Sequence, residues 1–524
     1  MKRRNFISQI LPAAVLPSLI NGYSVRAMSP SPLLDAMMNL AAETDHVLVM
    51  IQMNGGNDGL NMVIPRDNYA LYQNARSNIA IPESRILKLA GNDRTGLHPS
   101  MTGLQSLYNE GKLSIIQAVG YPTPNFSHFR ATDIWMTASD SRQILNSGWA
   151  GRYLDESFPN YPTGYPNATM GDPPAIQIGS ITSLTLQGPG ASMGMSITSA
   201  TSFYNLVNGM QDPAPNTPAG KELTHVRTVA RQTTQFSTTI KAAADRVTQQ
   251  GTYPTGNALA DQLKIVARLV KGGLKTRVYM VTIGGFDTHS VQVSATDTTT
   301  GNHANLMKNV SDAIKSFMDD LKGLGVEDRV LGMTFSEFGR RIKSNSSVGT
   351  DHGAAAPLFI FGSNVQPGVV GKNPDIPGNA SVNDNIPHQY DYRSIYASLL
   401  QHWFCADNAT LQAVMLKNFQ QLPVVKNTAC SNINPNILAG ERLISNYPNP
   451  FTASTSVTFK TNGGHTLVQV MDTLGRVVTN LTDRDYAPGS YTLHFDSGNM
   501  PAGIYYLRLQ NETIQQVKSM LKVR

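Results

Sequence analysis

The chain has 524 residues, enough for two or more domains built around a large core. Only 15% of them are charged and the net charge is +6, with lysines and arginines scattered rather than gathered into a stripe among aromatics, which argues against a nucleic-acid partner. The 43 glycines and 30 prolines imply many ordered loops.

Residues 1–27, MKRRNFISQILPAAVLPSLINGYSVRA, have a basic start, an apolar middle broken by proline and a small-residue ending suited to cleavage near Ala27. That is the pattern of an export signal peptide. Arg3-Arg4 followed by Asn5-Phe6-Ile7 resembles a twin-arginine signal, which implies the twin-arginine translocase as a partner and folding before export. An ordinary secretory signal with chance arginines is the plainer alternative. No later run reaches the roughly 20 apolar residues that cross a bilayer, so no transmembrane segment is expected in the mature chain.

From 45 to 430 short apolar runs alternate with helical patterns. VLVMIQM, KLSIIQAVG, RVYMVTIGG, RVLGMTFSEFG and APLFIFG read as strands. Leu259, Leu263, Val266 and Val270 recur at helical spacing, as do Leu306, Val310, Ile314, Phe317 and Leu321. Strands apolar on both faces, alternating with helices, predict an α/β domain with a mainly parallel sheet covered on each side. Ligands gather at the carboxyl ends of such strands, so polar clusters just past them are the first candidates for a site. Residues about 140 to 255 are rich in Gly, Pro, Ser, Thr and Gln and read as a cap or long loops over one end of the sheet, or as inert decoration. The two cysteines, Cys405 and Cys430, either pair or stay as buried thiols, and neither is read as catalytic.

Four polar clusters sit after strands or at a helix start. They are Asp58 in GGNDGLN, Ser127 and His128 in PTPNFSHFRATDIW, Asp287 and His289 in GGFDTHS, and Asp351 and His352 in GTDHGAAAPLFIFG. Imidazole nitrogens and carboxylate oxygens in this number suit one or two divalent cations such as Zn²⁺. Taken singly, each pair is as well explained by a turn acid beside a surface histidine. Ser127 reads as the N-cap of a helix. The same placement suits a nucleophile, because a helix N-terminus attracts phosphate or sulfate oxygens and a nearby metal lowers the pKa of a hydroxyl. TFSEFGRR adds Glu337, Arg340 and Arg341: an arginine there either clamps an oxyanion or locks the loop through a glutamate. His98, His303 and His388 with Asp391 are further candidates for a metal shell.

Past a linker at 431–440, residues 441–524 read as a small all-β sandwich, with SVTFKT, HTLVQVMD, GRVVTNLT, SYTLHFD, GIYYLRLQ and VKSMLKVR separated by turn signals. The motifs YPNPF, DTLGRVV, PAGIYYLRL and KSMLKVR resemble the C-terminal sorting domain of the type IX secretion system of Bacteroidetes-type bacteria. The resemblance implies that system as a partner, passage through the periplasm and a cell-surface or extracellular destination. Composition alone would give an accessory β domain, sugar-binding being one use.

QMNGGNDGLNMVIP, GLHPSMTGLQSLYNEGKLSIIQAVGYPTPNFSHFRATDIWMT, IGGFDTHSVQ, FSEFGRRIKSNSSVGTDHGAAAPLFIFG and DYRSIYASLLQHWF together resemble a bacterial family catalogued as domain of unknown function 1501, similar to the alkaline phosphatase–sulfatase superfamily. The resemblance implies an alkaline-phosphatase-like fold. It implies one metal on Asp58, Asp351 and His352 with Ser127 bridging, and another on Asp287 and His289 with His303 or His388. The chain departs from the superfamily pattern in its tight D-x-H spacing, in lacking a sulfatase signature at Ser127, and in the EFGR loop before TDHG. The expectation is an exported metal-dependent hydrolase of small phosphate or sulfate esters, with Ser127 as nucleophile and Arg340 steadying the anion. The alternative is a non-catalytic surface protein that binds glycans or an envelope partner in the same cleft.

Overall fold

The computed structural model describes residues 18–20, 23–25, 44–167, 170–199, 235–426 and 430, and in the tail 444–447, 451–461, 463–472, 476–487, 489–498, 500–511 and 515–523. The expected signal peptide, apart from two short paired strands at 18–20 and 23–25, and the expected linker at 431–440 lie outside the described residues. The chain forms two compact units, Thr44–Asn432 and a second made of Met1–Glu43 with Ile433–Arg524.

The first unit is built on a nine-stranded sheet. Its strands are β1 (Val47–Met53), β2 (Leu113–Gly120), β3 (Ala175–Ile178), β4 (Gly194–Ile197), β5 (Val278–Ile283) and β6 (Val330–Phe335). A two-stranded hairpin, β7 (Gly339–Arg340) and β8 (His352–Gly353), leads back into the sheet at β9 (Ala356–Phe361), followed by β10 (Gly368–Val370) and β11 (Tyr390–Asp391). The spatial order is β10-β2-β9-β6-β1-β5-β3-β4, with β11 beside the end of β2. All neighbours run parallel except β9, which is antiparallel to both β6 and β2.

The alternation along β1 explains the layering. Val47, Val49, Ile51 and Met53 face one core with helices α1 (Thr102–Asn109), α4 (Ala258–Lys271) and α5 (Asn302–Gly323). Leu48 and Met50 face another with α2 (His128–Thr137), α3 (Trp149–Ser157) and α6 (Tyr392–His402). A strand with all seven residues buried is possible only because helices cover both sides. The α/β sheet with two helical layers is therefore as its runs of apolar residues imply. The segment from 140 to 255 differs from the expected cap: it supplies α3, β3 and β4, the last two extending the sheet, and residues 200–234 lie outside the described residues. Cys405 and Cys430 form a disulfide. Among the described residues no helix is long and apolar enough to cross a membrane.

In the second unit, one antiparallel sheet contains Ile444–Tyr447, Ser454–Thr461 and Gly489–Asp496, and another contains Gly464–Met471, Val477–Tyr486, Gly503–Gln510 and Gln515–Lys522. Buried and exposed positions alternate along Ser454–Thr461, and Val457, Phe459, Val470, Leu507 and Leu509 share one core, as in a sandwich.

The sheet positions the site. β1, β5 and β6 are in register to within a residue at their carboxyl ends, where Met53 pairs with Ile283 and Gln52 with Phe335. The carboxyl end of β2 points the same way, and antiparallel β9 contributes its beginning there. Because Leu331 of β6 is fully buried in the sheet's core, Leu331→Ala is expected to cost about 2–5 kcal/mol of unfolding free energy, measured by denaturant titration.

Candidate metal centre

Five segments meet at this end: 54–58 after β1, 121–128 after β2, 284–292 after β5, 336–341 after β6, and 350–353 before β9. Their approach is close. The backbone N–H of Asn54 donates to the Ile283 carbonyl (2.8 Å), and that of Phe286 to the Asn54 carbonyl (3.1 Å). Gly55 has a φ of +123°, and a Cβ there would lie 2.3 Å from the Asp287 nitrogen, so only glycine fits.

The buried guanidinium of Arg340 holds the segments together. Its Nε donates to the Gly56 carbonyl at 2.6 Å and its Nη1 to the Thr350 carbonyl at 2.7 Å. Nη2 reaches the carbonyls of Gly55 and Phe286 and, at 2.7 Å, Asp287 Oδ1. Arg340 is 1% exposed and its donors end inside the protein. The residue expected to steady a substrate anion is instead a bracket for the strand-end loops. Burial pushes the Asp287 carboxyl up, and hydrogen bonding and charge from Arg340, together with His289 and His352, more than reverse this, leaving it below its ordinary value.

Three imidazoles converge on Asp287. His289 Nε2 lies 3.2 Å and His352 Nε2 3.3 Å from Oδ1, and His128 Nε2 lies 3.5 Å from Oδ2. The Nε2 atoms of His289 and His352 are 2.9 Å apart. Their other ring nitrogens decide what these contacts mean. His352 Nδ1 meets the Phe126 carbonyl (2.8 Å), which can only accept, so Nδ1 carries a proton. His128 Nδ1 meets Glu337 Oε1 (2.8 Å), and His289 Nδ1 meets Asp351 Oδ1 (3.1 Å), both carboxylate oxygens. With each Nδ1–H donated outward, neutral rings turn three bare Nε2 lone pairs toward one another and toward a carboxylate. That arrangement repels itself unless a proton or a cation lies among the four groups.

Metal-binding histidines characteristically show this pattern, the far ring nitrogen donating to a carboxylate or carbonyl. The ligand atoms of His128, Asp287 and His352 all lie within 4.8 Å of one another. Ligands at about 2.0–2.1 Å around a tetrahedral zinc stand roughly 3.3 Å apart, close to the contacts here. The donor set of His128, Asp287 and His352 therefore fits a single divalent ion, and His289 Nε2 stands beside it, 2.9 Å from His352 Nε2.

The expected site residues separate accordingly. Asp287, His289 and His352 are in the cluster. Asp351 meets His289 Nδ1 and also accepts from Asn345 Nδ2 at 3.1 Å, so it lies behind that imidazole rather than within the cluster. Ser127 is exposed at the N-cap of α2 without a side-chain capping bond, between Phe126 and His128, both of which touch the cluster. Asp58 stands apart from the cluster: it is 1% exposed, both its oxygens lie 2.8 Å from Arg76 Nη1, and Oδ2 accepts from Gln292 at 2.6 Å. Burial raises its carboxyl pKa, but the charges of Arg76 and His303 and the hydrogen bonds from Arg76 and Gln292 together outweigh this. His303 is buried beside it, with Nε2 on Asn57 Oδ1 at 3.1 Å and Nδ1 without a partner among the described residues. His388 lies elsewhere, exposed in a groove of about 380 Å³ with Lys372, Asp375 and Tyr390. Sequence reasoning missed His128 as a member of the cluster and Glu337 as the carboxylate that meets its Nδ1. The signal was there, an imidazole directly after the Ser127 N-cap, but attention to the hydroxyl hid it.

Residues 45–404 match the family model described as "Protein of unknown function (DUF1501)", and 445–523 match "Secretion system C-terminal sorting domain". No curated protein matches the chain. Among solved structures, it is similar to a Pseudoalteromonas sulfatase (10% identity, 88% of each chain, TM-score 0.31). It is also similar to an alkaline phosphatase superfamily protein of Vibrio parahaemolyticus (11% identity, 94% of this chain and 91% of that one, TM-score 0.30). A third is a protein from a glycosaminoglycan-metabolism locus of Bacteroides thetaiotaomicron (10% identity, 91% and 89%, TM-score 0.33).

The histidines beneath the cluster make a pH prediction. Burial holds the His303 imidazole down at about 4 and that of His98 at about 3, against 6.5 in an exposed ring. The unfolded chain therefore takes up these protons first, so stability present above pH 6.5 is lost as the pH falls toward 4. Melting of the chelator-treated protein is expected to be level above pH 7 and to fall through that window. A double variant, His98→Asn with His303→Asn, that keeps the same slope would contradict the assignment.

Proposed function

The chain belongs to the DUF1501 family of proteins of unknown function and is an exported protein with a secretion-system sorting domain, and from that premise we propose that it is a divalent-metal-dependent hydrolase of phosphate or sulfate esters outside the cell. The observation carrying the proposal is the convergence of three outward-protonated imidazoles on Asp287. Zinc is the first choice for such nitrogen-rich ligands. Phosphate leads sulfate because no sulfatase signature surrounds Ser127.

His128, Asp287 and His352 would hold the ion, with His289 beside them as a fourth donor. When bound, a divalent cation supplies charge to the ester oxygens and lowers the pKa of an oxygen nucleophile. The chain's own groups do the rest. Glu337, Asp351 and the Phe126 carbonyl fix the ring tautomers, and Arg340 keeps Asp287 ionised. Ser127 offers an exposed hydroxyl at a helix N-terminus, where free N–H groups favour an anion. Arg341 replaces Arg340 as the anion-binding arginine: it is partly exposed, with its guanidinium over the Phe126 ring at 5.3 Å. On export, the reading follows the sorting domain for type IX secretion and the Arg3-Arg4 signal for the twin-arginine translocase.

Elemental analysis of the purified protein, with assays on aryl phosphate mono- and diesters and aryl sulfates, tests the reading. About one divalent ion per chain is expected, lost together with turnover in Asp287→Asn and His352→Ala. Ser127→Ala is expected to keep the metal and lower kcat on the order of 10³-fold or more. Arg341→Ala should act mainly on KM. A wild type without metal overturns the proposal, and metal without turnover on any ester replaces it with a binding role.

A further inference from the structure

Gln292 lies three residues past His289, fully buried, and the mechanism above does not use it. Both ends of its amide are engaged. Nε2 donates to Asp58 Oδ2 at 2.6 Å, while Oε1 accepts from the hydroxyls of Thr288 at 3.0 Å and Thr350 at 2.9 Å. Thr288 stands between Asp287 and His289, and Thr350 immediately precedes Asp351 and His352. One side chain thus joins the two loops that carry three of the four proposed ligands. The oxygen faces the hydroxyls and the nitrogen faces the carboxylate, the orientation in which the amide offers an ionised Asp58 a donor.

The anchor behind Gln292 is stiff. Asp58 is paired with Arg76, whose Nη2 also donates to the carbonyls of Arg341 and Ile342 at 2.7 and 2.8 Å, tying the same point to the segment after β7. The two loops are also joined by backbone bonds from Val291 to Ser347, Gln292 to Val348 and Thr350 to Thr288. Val291 and Val348 have φ of +50° and +57°. β-Branched residues adopt that region only where their surroundings over-determine it, so these loops are held rather than relaxed.

We infer that Gln292 is a positioning residue of the metal centre, setting the spacing between the Asp287–His289 loop and His352, and that the Asp58–Arg76 pair serves as its anchor instead of holding an ion. The inference rests on the metal reading of the preceding section. Without the amide, the two loops lose their shared acceptor and the Nε2 atoms of His289 and His352 lose their register.

Cobalt(II) binding to the full chain provides the test, read by visible absorption and by competition with a chelator, independently of any hydrolysis. Gln292→Met keeps the volume and removes all three hydrogen bonds. The expected result is about 10–100-fold weaker cobalt affinity and an altered visible band at saturation, with a smaller shift in the same direction for Thr288→Val and for Thr350→Val. The threonine variants keep the test open if Gln292→Met does not fold. A merely structural role would lower the melting temperature and leave affinity and band as in wild type, which would overturn the inference alone. A wild type that binds no cobalt would overturn the metal reading and the inference together.

Discussion

The site depends on one buried charge. Arg340 places a guanidinium where no water can solvate it, and such burial is tolerable only when the donors find acceptors. Here four carbonyls and a carboxylate supply them, drawn from the ends of β1 and β5 and from the turn before β8. A planar fork can address that many acceptors at once; a lysine ammonium, with three donors on a single nitrogen, could not span them. The same contacts leave Asp287 ionised, so the group that locks the loops also sets the charge of the central carboxylate.

Much of the scaffold was legible because β1, β5, β6 and β9 are short runs apolar on both faces, and α4 and α5 repeat their apolar residues at helical spacing. Direction was not legible. An apolar run such as APLFIF reads alike in either sense, so nothing in it announced that β9 runs against its neighbours and delivers its preceding residues to the site. AIQI and GMSI were hidden for another reason: four-residue strands set among glycine, proline and serine carry too little periodicity to stand out.

In the site, Asp287, His289 and His352 were visible because each follows or precedes a buried strand among glycines. Asp58 has the same local signature and a different role. What separates them is a partner 18 residues away, Arg76, whose return to the first strand's end is a tertiary event that no local pattern records. Asp351 illustrates a finer limit. Sequence can say that a carboxylate reaches the site, but whether it meets an ion or the back of an imidazole is decided by about one ring's width.

The expected ligands come from turns far apart along the chain. The contact between His352 and Phe126 alone spans 226 residues, and the sheet must assemble before any three donors face each other. A polypeptide still emerging from the ribosome has no pocket for an ion, only isolated side chains of weak affinity. Under the proposed metal reading, coordination would therefore be a property of the finished fold, and the cellular compartment where folding is completed, through its pool of free ions, would choose the metal.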